Sequence, residues 1–205
     1  MEPVWVDWIK RLHAIAQTGL AFNDNPFDIE RYESVRRIAA EIAASRDGSD
    51  PDRVEKTFSN DDGYTTPKVD VRGVVFRDDK ILMVRERLDG LWTMPGGWAD
   101  VCATPAENTE REVLEESGYC VRAVKLLAVY DRSRHGHPPI PWHVYKMFFL
   151  CELTGGAPCV SNETSEVGFF AEDELPPLSL TRLTPDEIAL MFEHHRQPGR
   201  PTDFE

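Results

Sequence analysis

Three glutamates, Glu112, Glu115 and Glu116, stand at i, i+3 and i+4, so on a helix they project from one side and repel one another unless a positive charge sits between them. A hard divalent cation, magnesium or manganese, is the natural countercharge. Such ions take oxygen ligands and keep room for waters and phosphate oxygens, which suits clustered carboxylates with an open side. A generic Glu-x-x-Glu-Glu also reads as a solvated acidic helix face. The flanks favour the ion: Pro95-Gly96-Gly97 makes a compact turn, Thr104 can cap, Pro105 suits a first turn, Glu107 completes a capping box, and Gly118 stops the helix predicted over residues 105–117.

The elements that must carry this helix are read from periodicity. Residues 1–58 look helical, because Trp5, Trp8, Leu12, Ile15 and Gly19 recur at helical spacing, as do Ile29, Tyr32, Val35, Ile38, Ala39 and Ile42. Asn25-Pro26 and Asp50-Pro51 are start signals, while Gly19 and Gly48 sit at expected stops. A small helical segment cannot easily bury the Trp5, Trp8, Leu12, Ile15 stripe by itself, so dimerisation is expected of it. Residues 59–67 are polar and turn-rich and read as a linker. Beyond them the pattern becomes strands: 69–76, a turn at 77–80 and 81–84 as a hairpin, then 121–130, 142–153 and 167–170. Residues 131–141 are too rich in Pro, Gly and charge for a strand and are expected to form a surface loop. A last helix starts at the capping box of Thr184 and Glu187 and runs to about residue 195, with a frayed tail from Gln197. The domains expected are 1–58, a linker over 59–67, and 68–205.

Composition excludes several classes. The 205 residues are 41% hydrophobic, enough for a sizeable core, but hold no apolar run long enough for a membrane span and no secretory signal, which points to the cytoplasm. Four cysteines without a CxxC pair read as reduced thiols. A net charge of -13 argues against long nucleic acid as partner, since such binding rests on Lys and Arg, but leaves a small anionic ligand open.

The segment from Gly97 to Tyr119 matches a known signature: Gly, five residues, Glu, seven residues, then Arg-Glu-apolar-x-Glu-Glu-x-Gly-apolar. It matches at Gly97, Arg111, Glu112, Val113, Glu115, Glu116, Gly118 and Tyr119. In this the chain resembles the Nudix hydrolases, over roughly residues 68–195. The resemblance implies an α/β fold, an α/β/α sandwich around a mixed sheet, here preceded by a small all-helical domain. With the helical start, Tyr64-Thr65-Thr66-Pro67-Lys68-Val69-Asp70-Val71-Arg72 and Leu91-Trp92-Thr93-Met94-Pro95 are similar to one subgroup, which implies cleavage of nucleoside diphosphates linked to X, of the CDP-choline or ADP-ribose type, by a homodimer. A nucleotide-binding module without turnover and an enzyme trimming RNA ends are the competing readings.

The resemblance also implies site residues. Glu112, Glu115 and Glu116 would bind Mg2+ or Mn2+, with the carbonyl of Gly96 completing the site, and Arg111 would organise the loop. A general base would come from the helix or a later loop, where Glu163 and Glu166 are candidates and Glu166 ranks first. Arg85 could meet phosphate. Trp98 and Trp92 flank the loop, where either could stack on a base or pack. His135, His137 and His143 lie near a loop that could close over substrate, or are plain loop residues. One departure matters: the signature's first Glu falls at Ala103, with Cys102 where Gly is usual, and Glu107, one turn before Arg111, is expected to take over the pairing.

Overall fold

In a computed structural model, residues 3–59 and 63–205 are described. They fall into two compact units: the chain up to Pro67 together with Pro139–His143, and Lys68–Pro138 together with Val144–Glu205.

The first unit is helical. Helix α1 spans Val4–Phe22, α2 Pro26–Asp47 and α3 Pro51–Phe58. The start signals act as read: the side chains of Asn25 and Asp50 accept from the amides of Phe27 and Asp52, each with proline at the first helical position. Gly48 ends α2 in the left-handed conformation. Gly19 does not end a helix. It lies inside α1, where a Cβ would overlap the Tyr32 ring, so it is a close-approach residue for the α1–α2 packing. The expected single stripe splits in two: Trp5 and Leu12 pack with Ile9, Ala39, Ala40 and Phe58, whereas Trp8 and Ile15 are exposed.

The second unit is a mixed sheet with two helices. Strand β1 (Lys68–Arg77) and β2 (Lys80–Glu86) form the expected hairpin, with Asp78 and Asp79 both in the left-handed region of the turn. Next come β3 (Trp92–Thr93), β4 (Gly96–Trp98), α4 (Pro105–Ser117), β5 (Tyr119–Asp131), β6 (Val144–Gly156), β7 (Thr164–Phe170), α5 (Pro185–Arg196) and β8 (Asp203–Phe204). The spatial order is β3-β2-β1-β6-β5-β8, with β4 also on β1 and β7 also on β2. The β1–β6 pair is parallel and the long β5–β6 pair antiparallel. One core cluster holds Val74, Met83, Met94, Phe148, Leu183, Met191 and Phe192; a second joins Val113 of α4 to Val75, Leu82, Tyr119 and Cys151. All four cysteines are free thiols. No described helix is long and apolar enough to cross a membrane.

One expectation about loops, the frayed tail, is corrected, while the expected loop after β5 is present. The segment from Gln197 is not frayed: Asp203 and Phe204 pair with Ala128 and Val129, Lys125 donates to the carbonyls of Pro198 and Arg200, and Thr202 donates to that of Leu126. Its backbone groups supply what its composition does not advertise. The Pro-rich loop after β5 is tied down by two buried side chains. Arg132 donates to the carbonyls of Pro138 and Thr181, and His137 bonds the Leu180 carbonyl and Glu187, both at 2.8 Å.

Candidate active site

Helix α4 forms where its signals predict. Thr104 accepts from the Glu107 amide while Glu107 accepts in return from the Thr104 amide at 2.8 Å, and Gly118 closes the far end with φ 76°. Val113 packs against Gly73 of β1, which presses the helix onto the sheet. Its neighbour is the Gly96–Gly97 turn in β4, which pairs with Val71 and Arg72. Gly96 has φ 142°, and a Cβ there would overlap the carbonyl oxygen of Val71, so no other residue fits.

This packing sets Glu112 and Glu116 against the turn. One Glu116 oxygen accepts from the Gly96 amide at 2.9 Å, and a Cβ on Gly97 would lie 3.2 Å from Glu112 Oε2. Glu116 is buried; burial, with Glu86 and Glu112 adding like charge, pushes its carboxyl up to about 8 against the opposing pull of Arg72 and the Gly96 amide. Glu112 is also pushed up, chiefly by burial. Glu115 faces outward and pairs with Arg111 at 3.0 Å. Arg111 holds several partners at once: Asp100 at 3.0 Å, Glu112 at 2.9 Å and the Asn108 side-chain oxygen at 3.0 Å.

The compensation expected of Glu107 is overturned. Its Oε2 accepts from both the amide and the hydroxyl of Thr104 at 2.8 Å, so the carboxylate serves the helix cap and its partner is not Arg111. Ala103 is exposed. Cys102, where glycine is usual, adopts φ 64°, the left-handed conformation glycine would accept freely.

Beneath the turn lies a buried charge network that sequence reading missed. Arg72 donates to Asp70 at 2.9 Å and to the Met94 carbonyl at 3.1 Å. Lys146, with no exposed surface, donates to Asp70 at 3.0 Å and to the Arg182 carbonyl at 2.6 Å. Burial alone would push Asp70 up, but Arg72 and Lys146 outweigh it and hold the carboxyl below its usual range. Glu86, buried and pushed up mainly for that reason, pairs with Arg182 at 3.1 Å.

The remaining candidates scatter. Arg85 and Glu166 are cross-strand neighbours that pair with each other at 2.6 Å, and Arg85 also donates to the Gly90 carbonyl. Glu163 bears on the site differently, since its charge helps raise Glu86. Trp98 on β4 is half exposed, while Trp92 packs edge-on against Phe170. His137 is a buried anchor, His135 stacks on Tyr130 with ring centres 3.8 Å apart, and His143 is exposed.

The donors suit a hard cation. Glu112 and Glu116 offer carboxylate oxygens, the donor type a hard cation takes, although among the described residues no group of three Asp, Glu, His or Cys side chains converges as a metal site.

The signature residues Gly97, Arg111, Glu112, Glu115, Glu116 and Gly118 thus lie together on this loop and helix. Residues 66–192 match the NUDIX domain and residues 3–58 match the family described as UDP-X-like, N-terminal oligomerisation domain. The chain belongs to the Nudix hydrolase family. Over all 205 residues it is 44% identical to the putative ADP-ribose pyrophosphatase YjhB of Bacillus subtilis, covering 99% of that protein. A crystal structure of a UDP-X diphosphatase aligns over 100% of both chains with 33% identity and a TM-score of 0.65. That of an ADP-ribose pyrophosphatase from Streptococcus suis covers 68% of this chain and 100% of its own, with 42% identity and a TM-score of 0.63.

Proposed function

We propose that this chain is a divalent-metal-dependent pyrophosphohydrolase that splits the diphosphate of a nucleoside diphosphate linked to a second group, of the ADP-ribose, UDP-X or CDP-choline kind. The observation that carries it is the pair Glu112 and Glu116 set against the Gly96–Gly97 turn, with Glu116 buried and pushed up to about 8. A carboxyl raised this far, chiefly by burial and further by its acidic neighbours, is stabilised as the anion when a cation is supplied. Names of the whole-length relatives support the substrate class.

Glu112, Glu116 and the Gly96 carbonyl would hold Mg2+ or Mn2+, with Glu115 on the exposed side. When bound, the cation would offset the charge of the diphosphate bridge and favour ionisation of an attacking water. Around it Arg111 fixes Glu112, the Gly96 amide fixes Glu116, and Arg72 holds the strand end that carries the turn. As general base, Glu166 would first have to leave Arg85; Glu163 needs no such release. Trp98 and Arg85 remain our candidates for substrate contact. We also propose that residues 1–58 are a dimerisation domain separate from a catalytic domain over 68–205.

The test is steady-state hydrolysis of ADP-ribose, UDP-sugars, CDP-choline, dinucleoside polyphosphates and 5′-triphosphorylated RNA with Mg2+ or Mn2+. Glu112→Gln and Glu116→Gln should each lower turnover on the preferred substrate about a hundredfold or more, with the thermal midpoint little changed. Full activity in excess chelator, or turnover of none of the panel, would overturn the proposal.

A further inference from the structure

Asn108 sits inside α4, where asparagine is a poor helix former whose side chain competes for backbone groups, yet it is completely buried. Its amide nitrogen faces three carbonyls, those of Asp100 at 3.1 Å, Ala103 at 3.4 Å and Thr104 at 3.3 Å. Its oxygen accepts from the Asp100 amide and from Arg111 Nη2, both at 3.0 Å. Carbonyls only accept and those two N–H groups only donate, so the network dictates the orientation of the side chain.

One amide therefore brackets the whole loop from Asp100 to Thr104 that joins β4 to α4. That loop has reason to need holding. It carries Cys102 in the left-handed region, and at Ala103 it has no side chain with which to bind the helix. Glu107 does not take that place, since its carboxylate turns to the amide and hydroxyl of Thr104. Asn108 instead orients Arg111, whose guanidinium bridges Asp100 on the loop to Glu112 on the helix.

We propose that Asn108 is a positioning residue of this site: acting through Arg111, it sets where the Glu112 carboxylate stands against the Gly96–Gly97 turn, and so does the work for which Ala103 lacks a carboxylate. The proposal rests on the reading of Glu112 as a metal ligand. It is a positioning role because no atom of Asn108 reaches Glu112 or the turn directly in the bonds it makes.

The experiment uses the full chain. Mn2+ binding is measured by titration calorimetry without substrate, alongside the Mg2+ concentration for half-activation, kcat and KM, and the thermal midpoint. Removing an outer partner of a metal ligand typically costs ten- to a hundredfold in metal affinity. Asn108→Ala should weaken Mn2+ binding and lower kcat by about tenfold or more, with KM changing less than about threefold. Adding Ala103→Glu to Asn108→Ala should recover most of both losses, because residue 103 already lies against Asn108 and a carboxylate there can take up the exposed edge of Arg111. Asn108→Ala that loses thermal stability but binds Mn2+ like the native chain would overturn the proposal, as would failure of Ala103→Glu to restore binding. Should Asn108→Ala not fold, Arg111→Lys keeps the charge but loses the planar fork; native Mn2+ affinity in that variant would equally overturn it. Glu112→Gln is the control: if it too leaves Mn2+ binding intact, the ligand reading of Glu112 fails, whereas an effect of Glu112→Gln without one of Asn108→Ala sinks the positioning role alone.

Discussion

Asp70 is the most exacting residue to perturb, because it is buried between two cations, Arg72 at 2.9 Å and Lys146 at 3.0 Å. Asp70→Asn keeps the shape but leaves two positive charges without their shared counterion. Breaking a buried pair from one side costs about 3–5 kcal/mol, mostly the penalty of the stranded charge. With a urea m-value of about 2 kcal/mol/M, the unfolding midpoint should fall by roughly 1.5–2.5 M at pH 7. Lys146→Met, which strips the other side of the pair and leaves an aliphatic chain over Phe148, should cost a similar amount. The double variant should cost less than the sum by about 1–3 kcal/mol, since Lys146 is then no longer stranded and only Arg72 has lost its counterion. The pH dependence follows from the same geometry. The folded-state pKa of Asp70 is depressed, so its contribution is complete above the unfolded carboxylate value near 4 and is lost as pH falls through the lower folded value. The gap between the native chain and Asp70→Asn should therefore be widest near neutrality and shrink below about pH 4. Urea titrations followed by circular dichroism at pH 7 and pH 3 measure this. An Asp70→Asn cost under about 1 kcal/mol, strict additivity with Lys146→Met, or a gap that widens on acidification would refute the reasoning.

Two further outcomes are expected. Trp8 and Ile15 are exposed on α1 while Trp5 and Leu12 are packed, so Trp8→Glu with Ile15→Glu should shift a dimer to monomer in sedimentation without lowering the thermal midpoint of the monomer; a sedimentation profile identical to that of the native chain would count against dimerisation through this face. Removing residues 202–205 deletes β8 and the Thr202 bond to Leu126, and should lower the thermal midpoint by several degrees in differential scanning calorimetry; an unchanged midpoint would return this segment to the status of a tail.

What the sequence conveyed was set by whether a residue's partner lies nearby in the chain. Helix α4 could be read to the residue, because its cap, its proline, its carboxylates and Gly118 all lie within one short segment. Strands β4 and β8 could not: Gly96–Trp98 is too glycine-rich and Asp203–Phe204 too short to show alternation, and each becomes a strand only by joining β1 or β5. Glu107 shows how two local rules can compete for one carboxylate. Spacing offers it Arg111, the capping box offers it Thr104, and the backbone amide wins because it is fixed in place when the helix forms. Asp70, Arg72 and Lys146 alternate with apolar residues as a solvated strand face would, and their burial depends on distant segments whose carbonyls, those of Met94 and Arg182, meet them in the fold. Asn108 belongs to no motif, and its burial is a property of the loop folded over it.

The parallel pairing of β1 with β6 also sets a clock. Asp70 and Lys146 are 76 positions apart, and the intervening chain must be made before they can meet. At about 5–20 residues per second of synthesis, β1 waits roughly 4–15 s for its central partner, with β2 and β4 available to cover one edge. During that interval Val71, Val74 and Val75 form an apolar strand with its other edge open. Asp70 and Arg72 lie within that strand as charges that any premature sheet would have to bury without Lys146 and the enclosing chain to complete their network. The same two side chains that pair beneath the Gly96–Gly97 turn once folding is done would thus, before it is done, discourage self-association.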